Sequence, residues 1–313
     1  MILKKMNHIL YNLKRTFFYL SNNPKVLLPV LWDKMAFLFP DKLFLKVRFR
    51  LTMGYWMDFD NPKTYNEKLQ WLKINDIHPE YTKMVDKVDA KDYVASIVGD
   101  KYIIPTLGVW DSVDDINWEI LPNQFVVKSA SDSGGVVVCK DKSKLDIKAA
   151  KRKLKALGGR DYTRASKEYP YKNVSHRYIA EEYMEDESGY ELKDYKIFCF
   201  DGEAKFLFVA TGRQQNDTRF DFYDTEFNHL PLTNGHANAD VWPVKPANFE
   251  EMLEVAGKLS KGIPHVRVDL YNINGKIYFG ELTFFHWSGI VPFEPKEWDY
   301  KFGEYLKLPL SQK

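Results

Sequence analysis

Arg267-Val-Asp-Leu-Tyr-Asn-Ile-Asn-Gly-Lys-Ile-Tyr-Phe-Gly-Glu-Leu-Thr283 reads as two strands joined at Asn274-Gly275, and on this stretch the fold turns. Side chains alternate faces along a strand, so Arg267 and Asp269 share one face while Val266, Val268 and Leu270 share the other. Glu281 and Thr283 likewise lie on one face. Two carboxylates on facing strands suit a hard cation such as Mg²⁺ carrying phosphates. Without a cation the same residues are the polar outer face of a hairpin. Register separates the two readings. A two-residue turn at Asn274-Gly275 pairs Ile273 with Lys276, sets Asp269 opposite Gly280, and turns Asp269 and Glu281 to opposite faces. A metal site requires a three-residue loop, Ile273 to Gly275, or a bulge in either strand. Asn-Gly by itself favours the two-residue turn; the odd-parity arrangement is the expectation here.

Outward from the hairpin, three further sites stand in order. Lys128-Ser-Ala-Ser-Asp-Ser-Gly-Gly135 ends a strand in a lysine and continues into a loop of small residues. Such a loop either brings backbone N–H groups close to phosphate oxygens or is only a turn. Ile179-Ala-Glu-Glu-Tyr-Met184 is an edge that reads adenine through its backbone, or a strand with exposed acids. Asp194-Tyr-Lys196 places a charged pair in a strand. Around these, Thr64-x-x-Glu67 is a capping box that opens a helix near Tyr65. A helix is read over Lys83 to Val98, and a Lys-rich one opens at Ser143-x-x-Asp146 and runs to Gly158. Asn248 caps another. Strands are read at Phe125–Lys128, Val136–Cys139, Tyr178–Tyr183, Asp194–Phe200 and Lys205–Thr211, the last two joined by Asp201-Gly202. Hairpins mixed with helices predict an α+β (mixed α/β) fold rather than a doubly wound parallel sheet.

Composition narrows the classes. The 313 residues carry 45 Lys+Arg against 43 Asp+Glu, a net charge of +2 that argues against a nucleic-acid binder. Cys139 and Cys199 form no CxxC, so neither a disulfide scaffold nor a cysteine zinc site is expected. No apolar run reaches the ~18 residues of a membrane span. The first fifty residues hold ten Lys/Arg and two acids, Asp33 and Asp41. Their stripe of Ile9, Leu10, Leu13, Phe17 and Leu20 is either a basic amphipathic helix on an anionic membrane or a helix packed on its own domain. Sequences of the forms GxxxxGK[ST], HExxH and GxSxG are absent. Asp58-Phe-Asp60 matches the metal triplet of glycosyltransferases but precedes Asn61-Pro62, the mark of a solvated turn.

Taken together these strings resemble the ATP-grasp superfamily, and the wording resembles its TupA-like branch from bacterial surface-polysaccharide loci. The resemblance is carried by Pro62-Lys-Thr-Tyr-Asn-Glu-Lys-Leu-Gln-Trp71, Asp86-Lys87, Leu121 to Lys128, Ser133-Gly-Gly135, Cys139 to Ser143, Asp194 to Phe200, Phe222-Tyr-Asp224, Arg267 to Tyr271 and Phe279 to Phe284. It runs from about Asp41 to Pro309. It implies nucleotide held between two α+β subdomains, with a helical basic extension at 1–50, a helical linking part at 51–120, a loop-bearing small subdomain at 121–185 and a metal-bearing one at 186–313. By resemblance, Lys87 (with Lys91 as second candidate) and Lys128 meet ATP phosphates, and Ser131, Asp132, Ser133, Gly134 and Gly135 form the flap over them. Glu181, Tyr183 and Met184 make the adenine hinge, Asp194 holds the ribose hydroxyls, and Lys196 joins the nucleotide site. Asp269, Glu281 and Thr283 hold Mg²⁺, and Arg267 with Lys128 stabilises charge in the reaction. Two departures stand out: Ser131 where the family often has histidine, and Thr283 where the superfamily usually has asparagine. The implied activity is an ATP- and Mg²⁺-dependent carboxylate–amine ligase working through an acylphosphate. It would modify a surface polysaccharide by joining an amino acid to a uronic acid, in the cytoplasm at the inner membrane face. The alternative is a glycosyltransferase of the same pathway.

Overall fold

The computed structural model describes residues 24–131, 135–157, 163–189, 191–215 and 217–309. Helices α1 (Pro24–Lys34) and α2 (Asp41–Met53) precede α3 (Tyr65–Asn75), α4 (Tyr81–Val85) and α5 (Asp89–Val98). Strands β1 (Thr106–Trp110), β2 (Phe125–Ser129) and β3 (Val136–Cys139) follow, then α6 (Ile147–Leu157), α7 (Thr163–Ser166) and β4 (Tyr178–Glu182). The rest is β5 (Asp194–Phe200), β6 (Glu203–Thr211), β7 (Arg219–Asp224), β8 (Thr233–Asn234), α8 (Phe249–Leu259), β9 (Val266–Ile273), β10 (Lys276–Thr283), β11 (Phe293–Glu294) and α9 (Glu297–Tyr305). One sheet has the order β1-β4-β2-β3 and a second β10-β9-β5-β6-β7, with every pairing antiparallel. The fold is α+β, as the hairpin signals require.

The capping box forms: Thr64 Oγ1 accepts from Glu67 N at 3.2 Å and Glu67 Oε2 accepts from Thr64 N at 3.1 Å. The single helix expected over Lys83–Val98 is broken instead. Asp86 is extended (ψ 122) and its carboxylate accepts from Val88 N at 2.8 Å and Asp89 N at 3.3 Å. An aspartate that competes for backbone donors starts a new helix rather than continuing the old one. Ser143 does not open α6. It sits in a short 3₁₀ turn capped by Asp141, and Asp146 receives Ala149 N at 2.9 Å. Asn248 stands at the start of α8 without capping it by its side chain; its Oδ1 accepts from Asn272 Nδ2 at 2.6 Å. Strand β1 pairs with β4, so the small sheet draws in residues N-terminal to the boundary read at 121. The stripe from Ile9 to Leu20 lies outside the described residues.

Three apolar clusters hold the body together. The large sheet packs on α8, which buries Phe249, Met252, Val255, Ala256 and Leu259 at helical spacing. Toward α3 and α9, the Phe206 and Phe302 rings stack at 4.1 Å and Tyr65 meets Phe198 edge-on. The small sheet buries Phe125, Val127 and Cys139 with Ala150 and Leu154 of α6. The third cluster joins Phe44, Leu45 and Phe49 of α2 to Trp71 and Ile74 of α3. Among the described residues no helix is long and apolar enough to cross a membrane.

A buried relay ties α3 to the start of β9. Tyr65 O–H donates to His265 Nε2 at 2.9 Å, and His265 Nδ1–H donates to the Cys199 carbonyl at 2.9 Å. Burial lowers the imidazole to about 3. Unfolded, it protonates near ~6.5. The unfolded chain therefore binds more protons between these values, and stability falls as pH drops through that window. His265→Gln should remove up to about 1.4 kcal/mol per pH unit of this slope, read as the difference from wild type in urea midpoints between pH 6 and 4.

Candidate active site

The hairpin satisfies both of its competing demands. Asn274 (φ 52) and Gly275 (φ 80) make the two-residue turn, with Lys276 opposite Ile273. The three-residue loop does not form. The register shifts between Phe279 and Glu281 instead, so Gly280 is the extra residue of a bulge and Glu281 lands opposite Asp269. A side chain there would be tight, because a Cβ would lie 3.1 Å from Asp269 O and 3.2 Å from the Tyr271 ring.

With parity restored, charge runs straight across the sheet. Glu281 opposes Asp269, Asp269 opposes Lys196, and Thr283 opposes Arg267. Arg267 grips Asp269 with two bonds, Nε to Oδ1 at 2.7 Å and Nη2 to Oδ2 at 2.8 Å. The same Nη2 reaches Thr283 Oγ1 at 2.9 Å and Glu281 Oε1 at 3.4 Å. Lys196 pairs with Asp269, with Asp194 at 2.7 Å and with Glu281 at 3.9 Å. Burial raises the Asp269 carboxyl to about 6 against the pull of Arg267 and Lys196. Lost solvent also opposes ionisation of Glu281, but 42% of its side chain remains accessible and Lys196, Arg267 and Lys87 hold it at about 2. Arg213 Nη1 reaches Asp194 Oδ2 at 3.1 Å. Asp194 Oδ1 is buried and accepts no hydrogen bond among the described residues.

A second charged group faces this row from the small sheet. Glu181 on β4 is buried between two lysines, Lys128 Nζ and Lys91 Nζ, each 2.6 Å from one of its oxygens. Burial raises the Glu181 carboxyl, but the two ammonium groups more than reverse this and keep it low. Lys91 also donates to Ile104 O at 2.6 Å and Thr106 Oγ1 at 3.0 Å. Lys87, freed by the helix break at Asp86, reaches Ala130 O at 3.5 Å. Lys87, Lys91, Lys128 and Glu181 line one cleft with Phe279 and Gly280 of the bulge. Lys128 of the small sheet and Lys87 and Lys91 at the start of α5 thus share one cleft with the bulged strand of the large sheet.

The structure brings Lys87, Lys128, Glu181, Asp194, Lys196, Arg267, Asp269, Glu281 and Thr283 to these two faces. Of the loop, Ser131 Oγ lies 3.1 Å from His176 Nδ1, and Gly135 O accepts from Ser129 N at 2.8 Å; Asp132, Ser133 and Gly134 lie outside the described residues. Tyr183 and Met184 are half-buried on the chain leaving β4, and the Tyr183 hydroxyl donates to Glu185 at 2.9 Å. Asp58 and Asp60 stand at an exposed turn where Asp58 accepts from Asp60 N at 2.9 Å and Lys42 pairs with Asp60. Sequence reasoning missed His286 and Arg213. His286 is buried and neutral, its imidazole pushed well down by burial and then by Arg267. Its Nδ1 accepts from Arg267 Nη1 at 2.7 Å, and its Nε2–H donates to Asn234 Oδ1 at 2.9 Å. Only its place three residues beyond Thr283 could have signalled it.

The residues fit a phosphate-borne Mg²⁺. Among the described residues no cluster of three or more acids, histidines or cysteines could hold a metal alone. Asp269 and Glu281 offer hard oxygens on one face, and nucleotide oxygens would complete the shell. The unpartnered Asp194 Oδ1 is a free acceptor for a hydroxyl.

A family described as TupA-like ATPgrasp matches residues 67–307. No curated protein matches the chain. Among solved structures, it is similar to D-alanine–D-alanine ligase from Bacillus anthracis complexed with ATP, at 15% identity and TM-score 0.39, covering 64% of this chain and 54% of that one. The D-alanine–D-alanine ligase of Helicobacter pylori gives 17% identity and TM-score 0.40 over 72% of this chain and 61% of that one. A D-cycloserine synthetase gives 18% identity and TM-score 0.40 over 72% and 69%. The chain thus spans about half the length of the first of these, 54%.

The Glu181 clamp is testable by itself. Glu181→Gln leaves two lysines facing an amide and should cost about 3 kcal/mol of stability. Adding Lys91→Met should recover part of that loss, a coupling read from urea denaturation of the two single variants and the double.

Proposed function

Because the chain belongs to the TupA-like ATP-grasp family, we propose that it is an ATP- and Mg²⁺-dependent carboxylate–amine ligase that modifies a bacterial cell-surface polysaccharide. The observation that carries this reading is the bulge at Gly280, which sets Glu281 opposite Asp269 beside a cleft lined by Lys87, Lys91 and Lys128. In this reading the carboxylate would take the γ-phosphoryl group of ATP, with ADP leaving, to give an acylphosphate. The amine would then attack the acyl carbon, inorganic phosphate would leave and the amine proton would be lost, and Asp269 and Glu281 would hold a Mg²⁺ whose charge favours the phosphoryl transfer.

Each residue has a physical part in this reading. Lys87 and Lys128 bind phosphate oxygens as point charges, with Glu181 holding Lys128 and Lys91 in place. Residues Ser131 to Gly135 close over the phosphates through backbone N–H groups. Tyr183 and Met184 flank adenine, and Asp194 accepts from the ribose. Asp269 and Glu281 hold the metal; Thr283 holds Arg267 through its hydroxyl and is a further ligand candidate. Arg267, already aligned by two bonds to Asp269, offsets charge as the acyl carbon is attacked. The carboxylate is read as a uronic acid and the amine as that of an amino acid.

The basic N-terminal region, residues 1–50, is read as a peripheral contact with anionic lipid at the inner membrane face. Exposed Leu28, Leu31, Phe37 and Leu38 near Lys34 and Lys42 support this. Flotation of the full chain with anionic liposomes at low salt tests it, and protein left in solution overturns it.

MgATP at a hundred times its Kd should add ~2.7 kcal/mol of stability, read as a rise in Tm. A nucleotide sugar that raises Tm where MgATP does not would overturn the ligase. Lys128→Met should weaken nucleotide binding by about 1.5–3 kcal/mol. Glu281→Gln should spare binding in EDTA and abolish Mg²⁺-dependent phosphate release with a panel of uronic and amino acids.

A further inference from the structure

Helix α3 sends two buried polar side chains, Gln70 and Lys73, into the turn that follows β10. Gln70 Nε2 donates to the carbonyls of Ser288 and Gly289, each at 2.9 Å. Lys73 Nζ donates to Ser288 O at 2.9 Å, to Ser288 Oγ at 2.8 Å and to Gln70 Oε1 at 3.2 Å. The turn they hold has three successive left-handed residues, Trp287 (φ 48), Ser288 (φ 54) and Gly289 (φ 62). Residues other than glycine adopt this conformation rarely, and it persists only where surrounding contacts impose it. The fit is close, since a Cβ on Gly289 would lie 2.4 Å from Gln70 Nε2.

The residue just before this run is His286, which stands between Asn234 Oδ1 and Arg267 Nη1. Arg267 in turn spans Asp269, Glu281 and Thr283. The direction of one guanidinium therefore sets how the two carboxylates face each other, and the imidazole sets the guanidinium.

We propose that Gln70 and Lys73 are positioning residues of the metal site: by holding residues 287–289 left-handed they fix His286, and through it Arg267 and the Asp269/Glu281 pair. The inference rests on the ligase reading above. Partners one step removed from a metal, the place of Arg267 here, typically change its affinity about 10- to 100-fold when lost; Gln70 and Lys73 act through Arg267 from further back, so the lower end of that range is the expected effect. Lys87, Lys91 and Lys128 are untouched by this brace, so nucleotide binding without metal stays as it is.

The test is a Mg²⁺ titration of fluorescent ATP-analogue binding by the full chain, at a temperature where circular dichroism shows each variant folded. Lys73→Met should raise the Mg²⁺ midpoint about tenfold with binding in EDTA unchanged, and Lys73→Arg should move it back toward wild type. Adding Ser288→Gly to Lys73→Met supplies the left-handed preference without the brace and relieves strain, so the double variant folds even if Lys73→Met does not, and it should bring the midpoint back toward wild type. A role confined to stability would move Tm and leave every midpoint in place, and that result overturns the proposal. A wild type whose nucleotide binding ignores Mg²⁺ removes the ligase reading and this inference with it; a Mg²⁺-dependent wild type with unchanged variants removes this inference alone.

Discussion

A hairpin closed by a two-residue turn puts its i and j residues on a common face only in one parity. Asp269 and Glu281 fall in the wrong one. The extra residue at Gly280 is what reconciles the Asn-Gly turn with two carboxylates side by side. Once that bulge exists, the neighbouring strand supplies Lys196 opposite Asp269, and Arg267 falls opposite Thr283. Asp194, Asp269 and Glu281 then meet Lys196, Arg213 and Arg267 on one sheet face. Such buried pairs are weak evidence for stability, since desolvation costs about as much as the attraction returns.

The lysines across the cleft come from β2 and from the start of α5. Glu181 lies under Lys91 and Lys128 and holds two cations at fixed positions that would otherwise repel each other. Asp86 breaks the helix just before Lys87, and its carboxylate is itself held by Arg177 at 2.7 Å.

Helix α3 links these parts to the rest of the chain. Its first turn is capped by Glu67 and Thr64, and Asp299 of α9 accepts from Asn66 N at 2.9 Å. Tyr65 reaches His265 beside β9, Trp71 packs into the cluster of α2, and Gln70 and Lys73 hold the turn beyond β10. One amphipathic stretch with few surface positions therefore contacts the N-terminal layer, the large sheet and the site. This gives a physical reason for the density of the Pro62 to Trp71 string.

What the sequence determined by itself is what a few adjacent residues can decide. The strand at 194–200, the alternation along 266–270, the turn at Asp201-Gly202 and the Thr64 capping box all formed as read, because each is signalled by residues close together in the chain. The residue types at the site were legible for the same reason: carboxylates and lysines at strand ends announce their chemistry wherever they fold. Tertiary structure decided the rest. Whether the Asn-Gly turn or the carboxylate pairing would yield was settled by a bulge, five positions past the turn, that depends on β9 beside it. Asp86 ended a helix that periodicity alone would have continued. The partners of Lys91, Lys73 and His286 come from chain segments 90, 215 and 19 residues away, a separation over which no local pattern carries information.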